Sequence, residues 1–62
     1  MIMDQNRQIK EIHEKIQALK KLADELIIQG EDLPFLYRNS CRILASVKML
    51  ELNISDLDDM VP

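Results

Sequence analysis

The sequence predicts an all-α fold, two helices folded back on each other as an antiparallel hairpin. Three observations predict it. Ile9, Ile12, Ile16, Leu19, Ala23 and Leu26 form one apolar stripe. Leu36, Ser40, Ile43, Val47, Leu50, Ile54 and Leu57 form another. Both advance by alternating steps of three and four, the spacing that keeps residues on one side of a helix. Between them stands Gly30-Glu31-Asp32-Leu33-Pro34, a stretch that stops one helix and starts the next.

Helix 1 is predicted from about residue 4 to 29. Asp4 is a suitable N-cap, because its carboxylate can accept the first free amides. The interior is rich in Glu, Lys, Leu, Ala and Gln, all good helix formers. Gly30 is expected at the C′ position in the left-handed conformation, which glycine enters without a Cβ penalty. The turn covers 30–33. Asp32 or Leu33 caps helix 2, and Pro34 stands in its first turn, where no amide hydrogen is needed. Helix 2 is predicted from about residue 34 to 53, followed by an acidic tail over 54–62 in which Ser55-Asp56-Leu57-Asp58-Asp59 reads either as a frayed continuation or as a newly capped turn. The whole chain reads as one domain, and a connection this short makes the helices antiparallel neighbours.

Folding at the turn brings the stripes together rung by rung. Leu26 meets Leu36, Ala23 meets Ser40, Leu19 meets Ile43, Ile16 meets Val47, Ile12 meets Leu50 and Ile9 meets Ile54. Sixty-two residues are too few for a hairpin to offset its chain entropy comfortably from one helix contact. The single cysteine excludes an internal disulfide, and no Cys/His cluster has the spacing of a structural zinc site. A partner chain is therefore expected. The simplest is a second copy, giving a four-helix bundle whose dimer core is Ile9, Ile12, Ile16, Leu19, Ala23, Ser40, Ile43, Val47, Leu50 and Ile54. The small Ala23/Ser40 rung would leave a void. An end-over-end arrangement would fill it with the partner's Ile9/Ile54 rung.

The helices differ in their outer surfaces. Helix 1 is cleanly amphipathic. Helix 2 is apolar nearly all round, with Tyr37, Cys41 and Leu44 on one flank and Ala45, Met49 and Leu52 on the far side. A helix apolar on all sides is usually buried on all sides, so these six residues are the candidate partner-binding surface.

No residue constellation points to catalysis, and none to a cofactor or a metal. His13, the only histidine, has Glu11 and Glu14 nearby in sequence, but both point outward; it lacks the oriented carboxylate or nucleophile a general base needs. A di-iron bundle needs inward glutamates and a Glu-x-x-His step, and Lys10 stands three before His13. Cys41 has no base beside it in the hairpin register. One glycine cannot build a phosphate loop. The net charge of −3 disfavours nucleic acid, and helix 1 interleaves its lysines with acids. No apolar run is long enough to span a membrane, no leader is visible, and a lone cysteine suits the reducing cytoplasm.

In size and architecture the chain resembles the Rop-type hairpins, which dimerise into four-helix bundles. Leu22-Ala23-Asp24-Glu25-Leu26 followed by Glu31-Asp32-Leu33-Pro34, with Tyr37 shortly after, is similar to the small Rop-like family found with nitrogen-fixation genes. It departs from that family where a His-Asp-Leu-Ala run is replaced by Ile27, Ile28, Gln29 and Gly30. The resemblance implies an accessory role beside a metalloenzyme rather than catalysis. In topology the chain also resembles the hairpin co-chaperones of type III secretion, which cover apolar helices of other subunits. The expectation is a non-catalytic cytoplasmic adaptor that self-associates. The alternatives are a co-chaperone in a hetero-complex through helix 2, and a Rop-like RNA-binding bundle.

Overall fold

The computed structural model describes the backbone of residues 5–60 and the side chains of 7–57. It holds two helices, α1 (Gln5–Gln29) and α2 (Pro34–Met60). They form an antiparallel hairpin, a rod of 48 × 16 × 15 Å. The proposed Asp4 cap lies outside the described residues.

Helix α2 runs seven residues beyond the expected end at 53. Asn53, Ser55 and Asp56 are poor helix formers, which suggested an early stop. Ile54 overrides them, because it is buried against α1 at 7% exposure. Tertiary contact outweighs local propensity here.

The turn holds a second correction. No described residue has a positive φ, Gly30 included. Gly30 instead continues the helical path, its amide donating to the Leu26 carbonyl at 2.8 Å. Glycine is needed for a different reason. A Cβ there would stand 2.9 Å from the Leu26 carbonyl oxygen and 3.0 Å from Leu36 Cγ. A side chain at this position would thus crowd the end of α1 and press on Leu36 at the start of α2, which glycine avoids. The turn closes as the Leu33 amide donates to the Gly30 carbonyl at 2.9 Å. Leu33 takes the cap position, its carbonyl accepting the first bond of α2 from the Tyr37 amide at 2.8 Å.

The buried residues recur every seventh position. In α1 they are Ile9, Ile16 and Ala23, with Gly30 next in line; in α2 they are Ser40, Val47 and Ile54. Paired across the hairpin, they grow from Gly30 and Ala23/Ser40 at the turn to Ile16/Val47 and Ile9/Ile54 at the open end. The small rung is not a void. Ala23 and Ser40 are each 1% exposed within one hairpin, so they are already covered without a second copy. The reason for filling that rung from a second, end-over-end copy therefore falls away.

Ser40 carries the one buried hydroxyl without a hydrogen-bond partner among the described residues. Burying a polar group unpaired costs about 1–3 kcal/mol. Ser40→Ala is therefore expected to raise stability by about 1 kcal/mol. Ala23→Leu, which wedges the same rung apart, should lower it by about 1–3 kcal/mol. Urea melts followed by circular dichroism check both signs. A stability loss in Ser40→Ala would mean that its hydroxyl is satisfied in solution.

Candidate functional site

The two rows of each stripe fare differently. The row at Ile9, Ile16, Ala23, Ser40, Val47 and Ile54 is buried in the hairpin. The other row is not. Leu19 is 47% exposed and Ile43 49%; Leu26, Leu36, Leu50 and Leu57 are exposed as well, and Ile12 is half-buried. These seven residues sit three or four positions from the buried row, on the same flank of both helices. They form a continuous apolar strip along one side of the rod. Gln8 and Lys15 of α1, and Asn39, Ser46 and Asn53 of α2, edge it at one further position round each helix. Within that rim Lys15 carries the one charge.

Toward its open end, the opposite side of the hairpin is polar and bridged, while Tyr37 and Leu44 continue the Glu51 row toward the turn. Glu51 of α2 stands between two residues of α1. Gln17 Nε2 donates to its Oε2 at 2.7 Å. Lys20 Nζ lies 3.2 Å from its Oε1. His13, Lys10 and Lys48 line the same groove. The Gln17 hydrogen bond first, and then the Lys20 ammonium, hold the Glu51 carboxyl below its ordinary value, against a partial desolvation that acts the other way. The charged form is the one both donors favour. The hairpin is thus two-sided, with one side closed by a side-chain bridge and the other an open half-core.

The ten residues expected as a dimer core split accordingly between the buried row and the open strip. The open strip draws on α1 and α2 alike, where sequence reasoning gave the partner contact to α2. The six residues expected as a partner-binding surface are spread over more than one face of α2. Cys41 and Leu44 are half-buried; Tyr37, Ala45, Met49 and Leu52 are exposed. Tyr37, Cys41 and Ala45 line a shallow groove with Arg38 and Arg42. Phe35, absent from that expected surface, is 80% exposed, the most open large apolar side chain described. Its signal was available, since an aromatic directly after a helix-opening proline stands off the buried stripe.

Among the described residues, no group of three or more His, Cys, Asp or Glu side chains could hold a metal ion. No described helix is long and apolar enough to cross a membrane.

Because the folded-state value of Glu51 is lowered, its bridge contributes stability above the ordinary carboxylate value and loses it as pH falls through the lowered one. Glu51→Gln should therefore melt below the parent at neutral pH, and the two melting temperatures should converge as the solution is acidified. A gap that persists at pH 2 would assign the loss to packing instead of charge.

Compared with protein-family models, curated proteins and solved structures, the chain matches none, so a functional reading rests on its own two faces.

Proposed function

We propose that this chain is a non-catalytic helical-hairpin adaptor that works through protein–protein contact, and that its first contact is with a second copy of itself. The observation that carries the reading is the open strip of Ile12, Leu19, Leu26, Leu36, Ile43, Leu50 and Leu57. A solvent-facing apolar surface of this length marks an interaction site.

The exposed area agrees. The hairpin exposes 5294 Å², whereas a folded monomer of 7.2 kDa exposes about 4,100 Å². The excess, roughly 1,200 Å², is of the order one partner gives up in a stable interface, about 800 Å² or more. A second copy suits the strip because its centre bears no charge. The chain is acidic, yet Glu11, Glu14, Asp24 and Glu25 all stand off the strip, so two copies meet without opposing carboxylates. The bundle that results is the four-helix arrangement whose a and d rows supply both the hairpin seam and the dimer seam. A cytoplasmic accessory role, as the Rop-like resemblance implies, is compatible with such a bundle.

Sedimentation equilibrium is expected to give a dimer at micromolar concentration. Leu19→Glu buries a carboxylate in each copy and should weaken the dimer by over about a hundredfold, or roughly 3 kcal/mol. Lys21→Glu, on the outer surface of α1, should leave it unchanged. A wild-type monomer would overturn the self-association. A dimer indifferent to Leu19→Glu would place the contact on another face.

A further inference from the structure

The outer face of α2 holds a third stripe, separate from both the hairpin seam and the open strip. Phe35, Arg38, Arg42, Ala45, Met49 and Leu52 advance by three, four, three, four and three. That spacing lines one helical face, here the one turned away from Val47. Phe35 is 80% exposed, Met49 59% and Leu52 58%. Apolar residues lie at both ends of the stripe, and two arginines lie between them.

Its charge is unlike that of the rest of the chain. Residues 33–50 contain Arg38, Arg42 and Lys48 and no acid, in a chain whose net charge is −3. None of these three cations enters an ion pair or hydrogen bond through its side chain among the described residues. Lys20 of α1, by contrast, meets Glu51. Arg38 and Arg42, both exposed, also line a shallow groove with Tyr37, Cys41 and Ala45, whose one acid is Glu31 at the turn.

We propose that this stripe docks an acidic amphipathic helix of a different protein. The helical 3–4 spacing over Phe35 to Leu52 covers about 26 Å, or roughly five turns of a partner helix. A partner with aliphatic residues along one edge would cover Phe35, Met49 and Leu52. Glutamates or aspartates midway would meet Arg38 and Arg42, as an arginine fork prefers a carboxylate. A second copy of this chain is a poorer occupant, because its own outer α2 face presents the same cations. The inference rests on the adaptor reading and names the target that the adaptor holds. It uses a face that self-association leaves free.

Two labelled synthetic helices of about 18 residues, one built from Leu and Glu and the other from Leu and Lys in the same pattern, test it by fluorescence anisotropy at low salt. The Leu/Glu helix is expected to bind at least about tenfold tighter than the Leu/Lys helix. The double variant R38E/R42E should abolish or reverse that preference while sedimenting as the parent does. Equal binding of the two helices, or a preference that survives R38E/R42E, would overturn the proposal. So would binding lost in Leu19→Glu but kept in R38E/R42E, which assigns the peptide to the open strip. Binding to phosphatidylglycerol vesicles that needs Arg38 and Arg42, without preference between the peptides, would assign the stripe to an anionic lipid surface and overturn it too. The state of the parent in sedimentation reports separately on self-association, so failure of one reading does not imply failure of the other.

Discussion

Two helices in contact share one line of contact, and in this chain that line is set by residues seven apart. Ile9, Ile16 and Ala23 of one helix and Ser40, Val47 and Ile54 of the other are its buried residues, and the row ends at Gly30, where an added Cβ would crowd the Leu26 carbonyl and Leu36. The rest of the molecule follows from that row. Because an α-helix has about 3.6 residues per turn, residues three or four further on lie roughly 40–60° to the flank of that line. A hairpin can bury one row and no more. The second apolar row of each helix is then left at the surface, on the same side of both. Its exposure is a geometric result of closing the first row, not a separate feature of the sequence.

The gradient of side-chain size along the buried row has its own effect. The residues buried near the turn are small, Ala23 and Ser40, and those toward the open end are large, Ile9, Ile16, Val47 and Ile54. The unpartnered Ser40 hydroxyl belongs to the same constraint. A small residue is required opposite Ala23, and serine meets the volume at a cost in hydrogen bonding. Helix 2 extends past residue 53 with Ile54 buried in the same core cluster as Ile9, 45 positions earlier in the chain.

Most of the fold was legible in the sequence, since the three-four periodicity and the Glu31-Asp32-Leu33-Pro34 turn state the helices and their reversal. The rungs Ile9/Ile54, Ile16/Val47 and Ala23/Ser40 could be written down without coordinates. Which row would be buried could not, because periodicity gives the side of the helix and not the azimuth of the contact line within it. Gly30 was legible as a helix end but not as a close approach, which depends on where Leu36 falls in space. Beyond residue 53 the sequence left a continued helix or a capped turn open, because local propensity does not register the burial of Ile54, and the helix continues to Met60. Of the candidate surfaces, the far stripe at Ala45, Met49 and Leu52 was visible. Its continuation through Phe35, Arg38 and Arg42 was not, since apolar patterning passes over arginines.

The bridge from Gln17 and Lys20 to Glu51 bears on how large an assembly of such hairpins can grow. A unit with two sticky sides adds neighbours without end and builds a filament, whereas a unit with one sticky side pairs face to face and stops. Glu51 places hydrogen-bonded charge on the side of the rod opposite the apolar strip. In the self-association proposed above, that carboxylate interrupts the helical row Tyr37, Leu44, Glu51 and so disfavours a second apolar seam, a bias toward a closed particle over a fibre.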